Sequence, residues 1–258
     1  FLIVAGIMIV ALCIVMFAVD EAKLSLEMKE YENAHPEENL AETDSESGEE
    51  KLLADVKRSL AFLLCSIALW FIAYNGVETW FTTYAGKMWG MSLGGASMCL
   101  TVATGGAILS YIPVAQMASR IGRRRTIQAG VLLLASCFIV SFVYTMLCDT
   151  FHTWLYAIFL CMGLAWAAIN VNSLPMVLEM CKGSEVGKFT GLYYTFSMTA
   201  QIITPILAGF LLKHVGYRTL FPYAAIFSFA AFCTMLMVKH GDTKAEAKRG
   251  LEAYDVED

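Results

Sequence analysis

Seven apolar runs alternate with polar breaks along the chain: Phe1–Val19, Ser59–Tyr84, Ser92–Met117, Thr126–Leu147, Phe151–Leu178, Lys188–Leu212 and Tyr217–Val238. A helix of about 20 apolar residues crosses a bilayer core, so each run predicts one membrane-spanning helix. The expected fold class is an all-α membrane protein with seven transmembrane helices.

The runs differ in polar content with a period of three. Runs one, four and seven hold almost nothing but aliphatic, aromatic, Ala, Cys, Ser and Thr residues. The other four carry groups that are costly in lipid. Run two has Tyr74, Asn75 and Glu78; run three has Thr101, Thr104 and Gly105-Gly106; run five has Asn170, Asn172, Ser173 and Pro175; run six has Tyr194, Ser197, Gln201 and Pro205. Strongly polar residues inside spans face a bundle interior or a water-filled path. Runs two, three, five and six are therefore expected to line a path, with runs one, four and seven outside. Every third helix lying outside fits two three-helix units, one half of a transporter built from inverted repeats.

Helical spacing sharpens the candidates. Tyr74, Asn75 and Glu78 share one face, as do Asn170 and Ser173, and as do Tyr194, Ser197 and Gln201. Each stripe offers donors and acceptors that suit a polyol. Glu78 is the carboxylate placed well inside a run, which suits a titrating acid or a hydrogen-bond acceptor. Pro113, Pro175 and Pro205 interrupt backbone hydrogen bonding inside their helices. Trp166 lies deep in its run, where its ring can face a path, whereas Trp80, Trp89 and Trp154 read as interfacial anchors.

Composition agrees: 58% of the 258 residues are hydrophobic and 16% charged, against about 25% charged in soluble domains. Asp20–Arg58 holds 13 acids and 5 bases, so the net charge of −5 is mostly a linker property and points to no nucleic-acid partner. That linker is too polar to bury a core, although Lys51–Arg58 can begin a helix. With alternating helices, one side receives 15 of the 18 bases, in the linker, the loop Ser119–Arg125, the segment ending at Lys188 and the tail. The positive-inside rule places that side in the cytoplasm.

The eight cysteines show no paired spacing, so they read as core residues rather than a disulfide or zinc set. No HExxH pair, Walker-type loop or buried Ser-His pair appears, which argues against a catalytic site, a metal site and ATP coupling. Gly90-Met91-Ser92-Leu93-Gly94 matches a hydrolase nucleophile elbow by spacing, but it sits between two spans with no His partner. A retinal-type receptor would need a lysine in the last span, and Tyr217–Val238 has none.

The break between runs three and four reads Ser119-Arg120-Ile121-Gly122-Arg123-Arg124-Arg125. Six helices with such a turn after the second resemble the C-terminal half of a major facilitator superfamily transporter. Arg120, Gly122, Arg123 and Arg124 match the G-x-x-x-D-R-x-G-R-R/K motif of those proteins. Ala115 and Ser119 depart from it, standing where its Gly and Asp would be. The stretches Trp70–Tyr84, Trp166–Pro175 and Thr190–Gly209 resemble sugar transporters, nearest the sucrose/maltose proton symporter-like group and the glycoside–pentoside–hexuronide carriers.

The resemblance implies that residues 1–19 are the last helix of a truncated N-terminal bundle and 20–58 the acidic cytoplasmic linker. Residues 59–238 would then form the C-terminal six-helix bundle, with a cytoplasmic tail at 239–258. The implied function is secondary active transport of a sugar or glycoside across the plasma membrane by proton symport, without an enzymatic reaction or a cofactor. Substrate binding or coupling would fall to Glu78, Asn75, Tyr74, Asn170, Asn172, Ser173, Gln201, Tyr194 and Trp166. Arg120, Gly122, Arg123 and Arg124 would gate, and the partners would be the sugar, the bilayer and the missing N-terminal helices. Alternatives are a carrier of another solute, a Na⁺-coupled carrier or, more distantly, a seven-helix receptor.

Overall fold

The computed structural model describes residues 6–10, 23, 26, 46–181 and 185–242. Residues 6–10 are helical. The rest of the expected helix at 1–19, most of the linker and the tail beyond Asp242 lie outside the described residues.

Six helices follow in order: α1 Glu46–Trp89, α2 Leu93–Ile121, α3 Arg123–Leu147, α4 Leu155–Leu178, α5 Val186–His214 and α6 Leu220–Leu236, with a 3₁₀ turn at Tyr217–Thr219 before the last. Each, with that turn counted into α6, is long and apolar enough to cross a membrane. The six apolar runs from Ser59 to Val238 therefore map one to one onto helices. The helix of run two already begins at Glu46, five residues before the Lys51 start expected within the linker. At 1.5 Å per residue, the 44 residues of α1 span about 66 Å, more than a bilayer core requires.

The short connections are set by local chemistry. Gly90 takes a left-handed φ of +63°, and Ser92 caps α2 by accepting the Gly95 N–H at 3.2 Å. The apparent nucleophile elbow is thus a turn with a helix cap. Between α2 and α3 only Gly122 intervenes, at φ +96°, a value that L side chains rarely adopt.

Packing follows the order α2–α4–α3–α6–α1–α5, with lighter contacts between α1 and α2 and between α4 and α5. This pattern maps onto itself when α1 is exchanged with α4, α2 with α5 and α3 with α6. Because each unit has three helices, equivalent helices run in opposite directions, which is the arrangement of two inverted repeats.

Glycines let the backbones approach. A Cβ on Gly130 of α3 would lie 3.0 Å from the Ala165 carbonyl oxygen of α4, and one on Gly163 of α4 would overlap the Ala103 carbonyl of α2. Small residues at helix crossings serve this purpose in membranes, where lipid is as apolar as the side chains.

Polar side chains make further ties. Ser66 and Thr234 hydroxyls meet at 2.7 Å between α1 and α6, and Tyr84 and Thr145 hydroxyls at 2.5 Å between α1 and α3. Around Tyr84, the rings of Phe81, Trp89 and Phe221 form an aromatic cluster at the end opposite the arginine turn. Trp89 is buried there, not an interfacial anchor as its terminal position suggested, whereas Trp154 is 50% exposed.

The expectation that α3 and α6 are peripheral needs a distinction. Neither lines the cavity described below, but within this bundle they are more buried than α2 and α5. The helices left open are the polar pair α2 and α5, which expose Leu109, Ile112, Ile202 and Ile206 at 70% or more.

Candidate functional site

A cavity of about 200 Å³ lies among α1, α2, α4 and α5, with no lining residue from α3 or α6. Helical geometry builds two of its walls. Phe71, Tyr74, Asn75 and Glu78 of α1 stand at i, i+3, i+4 and i+7, and so do Thr104, Ala107, Ile108 and Tyr111 of α2. Trp166 comes from α4 and Gln201 from α5.

One wall is aromatic. The rings of Tyr74 and Trp166 lie flat on each other, 4.0 Å apart at 7°, and Phe71 meets Trp166 edge-on at 5.2 Å. This stack joins α1 to α4, the equivalent helices of the two repeats.

The polar groups differ in how far they are already satisfied. The Asn75 Nδ2–H donates to the Phe71 carbonyl at 2.9 Å, which leaves its amide oxygen for the cavity. Gln201 donates weakly to the Ser197 carbonyl at 3.4 Å, and the Thr104 hydroxyl donates to Leu100 at 3.0 Å. Glu78 is exposed at the cavity and has no hydrogen bond or ion pair among the described residues. No basic residue lines the cavity, so its formal charge is the single carboxylate.

Five of the nine binding candidates thus come together: Tyr74, Asn75, Glu78, Trp166 and Gln201. The other four do not line the cavity. Asn172 is buried with its amide donating to the Ala168 carbonyl at 2.8 Å. Ser173 is buried against the Tyr193 hydroxyl at 3.1 Å, tying α4 to α5, and it also donates to the Asn170 carbonyl. Tyr194 projects from α5 at 46% exposure and packs edge-on against Tyr193. Of these, Ser173 serves a contact between helices, the other way to satisfy a polar group in lipid, while Asn172 bonds within its own helix. Sequence reasoning passed over Phe71 and Tyr111, although the i, i+3, i+4, i+7 spacing to the polar residues marks both.

The arginine turn joins α2 to α3 at one end of the bundle. Gly122 N–H closes α2 on the Ala118 carbonyl at 2.9 Å, and the Gly122 carbonyl accepts from the Thr126 hydroxyl at 2.9 Å. Arg123 pairs with Glu179, which caps the C-terminus of α4. Arg124 Nη2 donates to the Leu236 carbonyl at 3.0 Å, and Gln128 Nε2 to the Met235 carbonyl at 3.3 Å, both in the last turn of α6. Cationic donors suit the free carbonyls and negative dipole of helix C-termini. Arg120 and Arg125 are exposed.

Residues 85–255, about two thirds of the chain, match the Major Facilitator Superfamily family description. No curated protein matches the sequence. Among solved structures, the crystal structure of the human organic anion transporter MFSD10 (TETRAN) superposes with a TM-score of 0.57 at 11% identity. The match covers 73% of this chain and 49% of that one, so the chain spans about half the length of that relative. At such identity the likeness speaks for the fold alone. The family match, the six long apolar helices and the inverted-repeat packing agree: the chain belongs to the major facilitator superfamily, a family of multi-pass membrane transporters rather than enzymes.

Proposed function

We propose that the chain is the C-terminal half of a secondary transporter that moves a sugar or glycoside by proton symport, with Glu78 as the coupling acid. The observation that carries this reading is the cavity itself. It sets an aromatic platform, Tyr74 with Trp166, beside the amides of Asn75 and Gln201 and one unpaired carboxylate. Aromatic faces receive the apolar face of a sugar ring, while amides and a carboxylate receive its hydroxyls. A cavity without a cationic side chain favours a neutral solute over an anionic one.

On this reading residues 1–19 end an N-terminal bundle that completes the cavity across α2 and α5, and residues 20–58 connect the halves. The bundle at 59–238 carries half of the binding site. The arginine side faces the cytoplasm, since it receives most of the basic residues. Arg123 and Arg124 would then keep the cytoplasmic ends of α4 and α6 together while the halves rock.

The test is uptake of labelled sucrose and maltose into proteoliposomes containing the complete transporter, with and without an inward proton gradient. Gradient-driven accumulation supports the proposal. Uptake driven by Na⁺ alone would overturn the coupling, and no uptake of any sugar across a broad panel would overturn the substrate class.

A further inference from the structure

The arginine turn lacks an acid of its own, because Ser119 occupies the motif's Asp position and only donates to the Gln116 carbonyl at 2.8 Å. Yet a carboxylate is present. After α6 ends, the four residues Lys239–Asp242 cross the arginine side of the bundle and touch three places in turn. The Ser59 hydroxyl of α1 meets His240 Nδ1 at 3.0 Å and accepts the Lys239 N–H at 3.3 Å. Gly241, at φ +86°, lies against the end of α4, where a Cβ would come 2.7 Å from the Met176 carbonyl oxygen. Asp242 then reaches the α2–α3 turn. Its Oδ1 accepts the Arg124 backbone N–H at 3.3 Å, and its two oxygens lie 2.7 and 2.8 Å from where a Cβ on Gly122 would stand.

Three features make this more than a chance approach. The N-terminus of α3 has no side-chain cap from its own loop, so its first N–H groups need an outside acceptor. An anion is favoured at that end by the helix dipole, and four nearby arginines add to the attraction. Gly122 serves twice, since its φ makes the one-residue turn and its missing Cβ leaves the space that the carboxylate fills. We propose that Asp242 is the positioning acid of the arginine turn, supplied by the segment after the last helix in place of the acid missing at Ser119.

The consequence is a covalent route from α6 to the turn. Arg124 caps the C-terminus of α6, and the chain leaving α6 returns Asp242 to the N–H of the same Arg124. The turn is therefore clamped from both its side chain and its backbone by one short stretch, Leu236–Asp242. Since neither Asp242 nor the turn lines the substrate cavity, the device sets the geometry of the helix ends and touches no substrate.

Hydrogen exchange in detergent micelles tests this on the complete protein without knowledge of the substrate, so its outcome is separate from that of the sugar reading. In Asp242→Ala, amides of residues 122–128 should exchange at least about tenfold faster while those of 163–169 in α4 keep the wild-type rate. Asp242→Asn should fall between, because an amide oxygen still accepts the N–H but lacks the charge. Asp242→Glu should recover most of the protection, as a purely structural filler would not. A chain ending at Lys239 should match Asp242→Ala, which guards against a misfolded point variant. Unchanged exchange at 122–128 in Asp242→Ala and in the shortened chain would overturn the proposal. So would equal acceleration across all six helices, or an Asp242→Asn indistinguishable from wild type.

Discussion

Trp166 of α4 lies flat on Tyr74 of α1, 4.0 Å apart and within 7° of parallel, across the two helices that the repeat symmetry makes equivalent. Such a pair is worth about 1 kcal/mol beyond its buried area, and it presents a broad apolar face next to Asn75 and Gln201. If the cavity takes a sugar as proposed, Trp166→Ala in the complete transporter should weaken its binding roughly fivefold or more. Trp166→Phe should keep part of the affinity. Equilibrium binding of labelled sugar to the purified protein measures both, and an unchanged affinity in Trp166→Ala would remove the platform from the site.

Glu78→Gln should abolish uphill accumulation and leave sugar exchange across the membrane measurable. Exchange needs the sugar site but no net release of a proton, and the amide keeps hydrogen-bonding capacity while losing the ability to titrate. If Glu78 couples protons as proposed, wild-type uptake should rise as the external pH falls, because the protonated carboxyl would then be the loaded form. In Glu78→Gln that pH profile should become flat. Accumulation at the wild-type level in the variant excludes Glu78 as the coupling group.

Arg123, Arg124 and Arg120 should separate in their effects. Arg124→Gln loses the cap on Leu236 and Arg123→Gln loses the ion pair with Glu179, so each should slow transport several-fold with substrate affinity changed less than about twofold. Arg120 is exposed, so Arg120→Gln should be milder. Exchanging the charges, Arg123→Glu with Glu179→Arg, should recover part of the rate lost in either single variant. Equal loss of affinity and rate in Arg124→Gln would count against a role at the helix ends.

Two glycines in the same packed region should respond oppositely to a methyl group. At Gly163 a Cβ would overlap the Ala103 backbone, so Gly163→Ala forces α2 and α4 apart and should cost about 1–3 kcal/mol. At Gly105 a Cβ meets nothing within 4 Å, and Gly105→Ala should be neutral or stabilising by up to about 1 kcal/mol. Thermal unfolding in detergent distinguishes them, and a higher midpoint for Gly163→Ala would contradict the close helix crossing.

Local chemistry alone determined much of this protein. A span of apolar residues must become a helix in lipid because its backbone has no other partner, so the six spans could be read from hydropathy. The face shared by Tyr74, Asn75 and Glu78 follows from the helical period, and Gly122 among arginines announces a turn that cannot enter the hydrocarbon. The period of three helices in polar content foretold that α3 and α6 would stay off the cavity.

Tertiary structure decided what the sequence left open. A polar residue in a span can be satisfied by a cavity or by the neighbouring helix, and nothing in its own run distinguishes the two. Asn75 and Gln201 went to the cavity, while Asn172 and Ser173 went to backbone and Tyr193. Trp89 looked like an interfacial anchor, but the approach of Tyr144 from α3 and Phe221 from α6 buried it. Asp242 is 118 residues from Arg124, too far apart for any local pattern to connect them. Only the return of the chain under α4 brings that carboxylate to the turn that lacks one.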